Sequence, residues 1–321
     1  MNLLPATDKN IIKAAEIIKS GGLVAFPTET VYGLGADGLN PIAVAKIFDI
    51  KKRPTFNPLI LHISNKNELR VFTNYNDKRI DNLIERFWPG PLTLVLPKKE
   101  IVPDIVTSGN DTVAVRMPNH KVALELIAKS ETPIAAPSAN RFGHLSPTEA
   151  EHVKKSLGSK VDLILDGGKC KVGVESTILL YKDEKFSLLR PGGLSKEEIE
   201  KVIGKIDIVF TTTNKPLAPG QLLYHYSPEI PLHFLSEKTI RLNSGKKIGA
   251  LFFNKKTAGE NFYSQKILSP SGDMKEAAAN LFRYLHEFEN ENVDIILVEP
   301  VKEEGLGMAI MDRLKRAAKK Y

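Results

Sequence analysis

Residues 27–38 read PTETVYGLGADG. Their second half, GLGADG, fits G-x-G-x-x-G, and the reading given to that match decides the fold. A dinucleotide-binding turn needs its glycines directly between a strand and a helix, so that a pyrophosphate meets the helix N-terminus. Here the apolar run LVAF (23–26) ends at Phe26 and PTETVY follows. The next helix signal is Asn40 as cap with Pro41 at the first helical position. The glycines are accordingly read as shaping a turn, and the function is placed on Thr28-Glu29-Thr30. An NAD-dependent oxidoreductase would rest on GLGADG alone. The phosphate loop G-x-x-x-x-G-K-[ST] is absent.

Outward from this stretch, helical and extended patterns alternate. IIKAAEIIK (11–19) has helical spacing, with Thr7 or Asp8 as cap and Gly21-Gly22 as stop. PIAVAKIFDI (41–50), DNLIERF (81–87), HKVALELIAK (120–129), TEAEHVKKSL (148–157) and KEEIEKVIG (196–204) are further helices; the third must end before Pro89. LVAF, LILHI (59–63), LTLVL (92–96), TVAVR (112–116), PIAA (133–136), VDLIL (161–165), STILLY (176–181) and FSLLR (186–190) read as strands. The last strands follow one another without helices, which predicts a mixed sheet. Residues 211–231 hold four prolines and no period, and are read as a linker. Beyond it, KIGALFF, KEAAANLFRYLHEF, VDIILVEP and GMAIMDRLKRAAKK alternate strand and helix. The expected fold class is α/β: a twisted mixed sheet with flanking helices over residues 1–210, the linker, and a small Rossmann-like α/β domain with a parallel sheet over 232–321.

The chain has 321 residues, 42% of them hydrophobic and 26% charged, which suits globular cores. No apolar run reaches the ~18–20 residues of a membrane span. The start, MNLLPATDKN, carries neither the basic nor the apolar stretch of a secretory leader, so a cytoplasmic protein without membrane association is expected. A single cysteine, Cys170, excludes an intramolecular disulfide and a cysteine-cluster metal site, and reads as a small core filler. The net charge of +7 is spread evenly along the chain. Nothing in it forms a basic nucleic-acid arm, although a local basic cleft is compatible with it.

Six short polar-plus-proline clusters stand at strand ends: PTETVYG (27–33), KKRPTFNPL (51–59), VRMP (115–118), APSANRFGHLSPT (136–148), GVESTI (173–178) and LRPGG (189–193). One such cluster is ordinary turn chemistry, whereas six in one domain point to a shared pocket beyond the strand ends. They supply the cations Lys51, Lys52, Arg53, Arg116, Arg141 and Arg190 and the hydroxyls Thr28, Thr30, Thr112, Ser138, Ser146, Ser176 and Thr177. Glu29 and Glu175 are the only candidate carboxylates. Arginines with hydroxyls suit phosphate or carboxylate groups, not the paired acids of a glycosidase. No Ser–His–Asp spacing accompanies Ser138, and His62 alone is more often a satisfied core residue than a catalyst.

In this order, PTETVYGLGAD, K-x-R-P followed by NPL, WPGPLTLVL, VAVRMP, APSAN, ESTI and LRPGG resemble the YrdC-type threonylcarbamoyl-AMP synthases. The two-domain layout and PGQLLYHYSP (219–228) resemble the long members of that family. The resemblance implies a nucleotidyltransferase that joins L-threonine, bicarbonate and ATP into threonylcarbamoyl-adenylate, releasing pyrophosphate, for N6-threonylcarbamoylation of the tRNA adenosine beside the anticodon. A separate tRNA threonylcarbamoyl transferase would take the product. It implies threonine binding by Thr30, His62, Arg116, Ala136 and Ser176. ATP binding would fall to Lys51, Arg53, Asn57, Thr112, Ser138, Asn140, Ser146 and Arg190, with Lys51 and Arg53 catalytic and Tyr226 closing over the nucleotide. Mg²⁺ would come on the ATP phosphates, with no protein side chain as ligand. Gln221-Leu222-Leu223 replaces the basic residues that some members carry after PG, leaving Tyr224, His225 and Tyr226.

The residues fit that chemistry. N-carboxylated threonine is already a nucleophile, so fixed cations matter more than a general base. Arg116 can fork onto a carboxylate as lysine cannot. A competing reading, an RNA-binding module for tRNA or double-stranded RNA, lacks an aromatic-rich basic stripe and stands as a secondary property. The C-terminal domain is read as a lid that positions the linker, with a docking surface for the transferase as the alternative.

Overall fold

The structure, a computed structural model, describes residues 2–209, 216–221, 226–256 and 262–318. The first lobe runs β1 (Leu3–Pro5), α1 (Asp8–Lys19), β2 (Val24–Phe26), β3 (Gly33–Asp37), α2 (Pro41–Lys51), β4 (Ile60–His62), α3 (Leu69–Phe72), α4 (Lys78–Phe87), β5 (Leu92–Pro97), α5 (Asp104–Thr107) and β6 (Thr112–Arg116). It continues through α6 (Lys121–Ser130), β7 (Ile134–Ala135), α7 (Ala150–Leu157), β8 (Leu163–Asp166), β9 (Thr177–Lys182), β10 (Lys185–Arg190), α8 (Lys196–Ile203) and β11 (Asp207–Ile208). The second lobe comprises β12 (Leu232–Phe234), α9 (Glu237–Leu242), β13 (Ile248–Phe252), β14 (Ser264–Ile267), α10 (Met274–Phe288), β15 (Ile295–Val298) and α11 (Leu306–Ala318).

Local chemistry sets the helix ends. Thr7 caps α1, Asn40 accepts the amides of Ile42 and Ala43 to start α2, and Asp77 caps α4. Ser195 and Glu198 form a capping box on α8. The large sheet has the order β1-β8-β2-β3-β7-β4-β6-β5-β9-β10-β11. It is mixed as expected: β4 lies parallel to β6, and β5 to β9, whereas β2–β3, β5–β6 and β9–β10 are antiparallel. The small sheet, β12-β15-β13-β14, is parallel throughout.

One expectation is overturned here. GLGAD is a strand, β3, paired antiparallel with β2 and β7, rather than a turn. Its glycines are required by crowding. A Cβ on Gly35 would lie 2.7 Å from Ile134 Cγ2 and 2.8 Å from Phe26 Cε1. Phe26 therefore lies against a bare backbone, and its ring stands edge-on to His62 with centroids 6.2 Å apart. The glycines thus help to place a side chain beside the polar end of the sheet.

The lobes share one apolar cluster. Val31, Leu145 and Val174 of the first lobe pack with Tyr226 and with Leu281, Phe282, Ile310 and Leu314 of the second. Each fully buried side chain of this kind contributes roughly 1.5–3 kcal/mol. Gly173, at φ +74°, admits α10 so closely that a Cβ there would lie 2.4 Å from the Cα of Ala279. The loop before β9 is thereby wedged against the second lobe.

Gly35→Val is expected to destabilise the fold by about 1–3 kcal/mol through overpacking. Urea unfolding measures this, and an unchanged midpoint would show that Phe26 can move aside at no cost.

Candidate active site

The sheet brings its polar clusters together around one chamber. His62 and Arg116 are register partners at the ends of the adjacent parallel strands β4 and β6. Thr28 and Thr30 follow β2, Ala136 and Ser138 follow β7, and a bridge from Ser138 to Gly33 closes that side. Ser176 precedes β9. A register shift between Leu188 and Arg190, a bulge beside the chamber, re-aims Arg190 at the end of β10. The end of α2 and the turn after it deliver Arg53. Pro219, Gly220 and Tyr226 form the chamber wall contributed by the linker region. Gln221 folds back onto that segment, where its side-chain oxygen accepts the amides of Leu217 and Ala218.

Of the site residues expected from sequence, Thr30, Arg53, His62, Arg116, Ala136, Ser138, Ser176, Arg190 and Tyr226 line the chamber. Lys51, Asn57, Thr112, Asn140 and Ser146 stand outside its lining. Lys51 is buried behind it, and its ammonium donates to the carbonyls of Ser138 (2.6 Å) and Asn140. It therefore holds the APSAN loop in this conformation. Lys52 pairs with Asp49 on the surface, and Arg141 is exposed. Tyr224, His225, Leu222 and Leu223 lie outside the described residues.

The electrostatics divide the chamber in two. On one side Arg116 pairs with Glu29 at 2.6 Å, donates to Thr30 Oγ1 at 2.9 Å and to the carbonyl of Gly90 at 3.3 Å. Thr28 gives its hydroxyl proton to the carbonyl of Val31 at 2.6 Å, so Thr30, 2.8 Å away, donates to Thr28 while accepting from Arg116. His62 is buried beside them. Burial first, and then the charge of Arg116, pull its imidazole down to about 3, so it is neutral at physiological pH.

On the other side stand Arg53 and Arg190. Arg53 donates to the carbonyls of Asn57 (3.0 Å) and Pro58 (2.8 Å), and Arg190 to the carbonyl and hydroxyl of Ser176 (2.8 and 3.1 Å). Among the described residues neither has a carboxylate within ion-pair distance, nor does Lys51. Burial foremost, and then Arg190, pull Arg53 down to about 9, and burial followed by Arg53 pulls Lys51 well below its ordinary value. Arg190 is lowered for the same first reason. The side-chain amide of Asn57, the hydroxyl of Thr112 and Oδ1 of Asn140 are buried without hydrogen-bond partners. Such groups in a native interior call for an explanation: an anion could accept from the amide N–H of Asn57 and the hydroxyl of Thr112, whereas the amide oxygens of Asn57 and Asn140 need a donor.

Glu175 is the chamber's second carboxylate, and the sequence did not reveal its partner. Its Oε2 accepts from Nε (3.0 Å) of Arg313 and lies 2.9 Å from Nη2, its other oxygen accepts the hydroxyl of Ser146, and Arg313 comes from α11 of the second lobe. No run or spacing could announce this pair, because 137 residues separate its members.

Comparison with known proteins places this geometry. A family model described as telomere recombination matches residues 16–192, and one described as threonylcarbamoyl-AMP synthase, C-terminal domain, matches 194–319. The threonylcarbamoyl-AMP synthase of Pyrococcus abyssi is 47% identical over 95% of this chain and 93% of its own. That of Bacillus subtilis is 42% identical over 98% and 94%. The crystal structure of the P. abyssi protein Sua5 complexed with L-threonine superposes with a TM-score of 0.90 at 44% identity, covering 99% of this chain and 96% of that one. By sequence along its whole length and by fold in both lobes, the chain belongs to the threonylcarbamoyl-AMP synthase family.

Proposed function

We propose that the chamber joins threonine, bicarbonate and ATP into threonylcarbamoyl-AMP, with threonine on the Arg116 side and the triphosphate on the Arg53–Arg190 side. The observation that carries this reading is the pair of buried guanidiniums without a carboxylate partner, standing beside a third that has one. Threonine and bicarbonate give an N-carboxylated dianion, which must approach a triphosphate carrying about four negative charges. Two unit charges 4 Å apart repel by ~4 kcal/mol at an effective dielectric near 20. Arg53 and Arg190 offset that repulsion where the charge develops. Arg116 makes two hydrogen bonds and an ion pair with Glu29; its remaining N–H groups can fork onto the threonine carboxylate while Glu29 keeps the guanidinium oriented. Thr30 Oγ1, which donates to Thr28 and accepts from Arg116, keeps a lone pair that can accept from the threonine hydroxyl, a contact that valine would not make.

His62, neutral and walled in by Phe26, acts as a hydrogen-bonding wall and moves no proton. Lys51 acts through the APSAN loop as long as its ammonium holds the two carbonyls. Tyr226, buried at φ +64°, closes the linker over the nucleotide. Magnesium would be carried by the ATP phosphates. Both chamber carboxylates are engaged by arginines, and a hard cation that keeps most of its waters fits such a site without dedicated protein ligands. The product then serves a tRNA threonylcarbamoyl transferase in a soluble, cytoplasmic setting.

The test is pyrophosphate release with ATP and Mg²⁺, omitting threonine and bicarbonate in turn, followed by mass detection of the adenylate. Release only with both, and a threonylcarbamoyl-AMP mass, is expected; release indifferent to threonine would refute the reading.

Arg116→Lys should weaken threonine binding at least tenfold and leave ATP affinity within about twofold, measured by calorimetry. Equal loss of both would remove Arg116 from the threonine side.

The buried imidazoles predict the acid limb of stability. The folded value of His62, about 3, lies below its ordinary 6.5, and that of His152 is likewise about 3. Between those values the unfolded chain takes up protons that the fold refuses, so stability falls as pH drops from 6.5 toward 3. His62→Asn should flatten that slope without changing the shape of the activity profile above pH 6. A lost activity limb near neutrality would instead make His62 a proton-transfer group.

A further inference from the structure

Arg313 of the second lobe stands directly behind the chamber wall. Arg313 is fully buried on α11, yet apart from Asp312 beside it its partners belong to the first lobe and the linker region. Nε and Nη2 hold Glu175, Nη1 donates to the carbonyl of Pro191 at 2.5 Å, and the guanidinium lies 5.1 Å over the ring of Tyr226. Pro191 directly follows Arg190, and the other oxygen of Glu175 holds the hydroxyl of Ser146. Arg313 therefore touches the bulged end of β10, the loop before β9 and the tyrosine of the linker region at once.

The charges explain why such a residue is needed. Glu175 faces the chamber on the side of Arg190, where a triphosphate would sit, and an unopposed carboxylate there would repel it. Burial tends to push its carboxyl up, but Arg313 and then Arg190 outweigh burial and hold it below the ordinary range, so it stays ionised. Asp312 adjoins Arg313 at 3.0 Å and is itself held by Arg316 at 2.8 Å, so the group as a whole carries no net charge. A carboxylate that keeps its charge, beside a binding site for an anion, can be tolerated only with its cation in place.

We propose that Arg313 is a positioning residue for the nucleotide: it neutralises Glu175 at the chamber wall and thereby fixes the Ser146 hydroxyl, the Arg190 strand end and the Tyr226 ring. The second lobe is then part of the ATP site as well as a cover for it. This rests on the placement of the triphosphate given above.

The experiment compares the Michaelis constants for ATP and threonine in wild type, Arg313→Met, Arg313→Lys and the double variant Glu175→Gln/Arg313→Met. Arg313→Met should raise the ATP constant at least tenfold and leave the threonine constant within about twofold. The double variant, which has no uncompensated charge, should recover most of that loss. Arg313→Lys, which keeps the charge and loses the fork, should fall between, and it carries the test if Arg313→Met does not fold. Parallel rises in both constants, absence of rescue, or wild-type ATP constants in Arg313→Lys and Arg313→Met would overturn the proposal. Inactivity of the wild-type chain toward ATP would instead overturn the functional reading on which it rests.

Discussion

Everything in this molecule is arranged around the burial of cations at one end of a mixed sheet. A buried charge is costly unless it is paired and hydrogen-bonded. Arg116 is paired with Glu29, and Arg313 with Glu175, but among the described residues Lys51 and Arg53 meet carbonyl oxygens and Arg190 meets carbonyl oxygens and the Ser176 hydroxyl, with no carboxylate. Those carbonyls come from the turn after α2, from the APSAN loop, from the residue before β9 and from Pro219. Carbonyl dipoles orient a guanidinium without cancelling its charge. The apolar layers below, from Leu34 and Leu61 to Leu94 and Val115, keep these loops from relaxing toward solvent.

Such an arrangement selects for a ligand with more negative charge than any pair of side chains could supply. It also separates two tasks that the reaction requires. The Arg116 side is nearly balanced and can recognise a single carboxylate without trapping polyanions. The Arg53–Arg190 side keeps an excess of positive charge, where we propose the triphosphate sits. Glu175 stands on the side that must stay positive, and it is answered by an arginine from the other lobe. Two lobes joined by a long linker are thus coupled by charge as well as by the apolar contact of Val31, Val174, Tyr226 and Phe282.

Much of this could be read from the sequence, for physical reasons. Helix caps such as Thr7 and Asn40 act within four residues, and the buried strands of the large sheet are near-continuous apolar runs, so both announce themselves locally. The clusters at strand ends carried the site because the loops beyond a sheet's edge converge in space. GLGAD misled because its three small residues lack any β-strand preference of their own; the crowding by Phe26 and Ile134 that demands glycine is a tertiary fact. The short strands β1, β11, β12 and β14 carry too few residues for a period. Lys51 resembled a ligand contact by motif, whereas its ammonium spans two carbonyls 87 and 89 residues away. Arg313 looked like one more cation on a helix rich in them, since nothing near it in the chain records its partner.

The most direct measurement of the central claim is calorimetric binding of adenosine and of ATP to the whole chain, without threonine. If the unpaired cations define the nucleotide site, the triphosphate should bind at least a hundredfold more tightly, a difference of about 2.7 kcal/mol. Arg53→Gln and Arg190→Gln should each erase much of that difference while leaving adenosine binding as it was. Equal affinities for adenosine and ATP would contradict the account, because the buried positive charge would then have no part in holding the ligand.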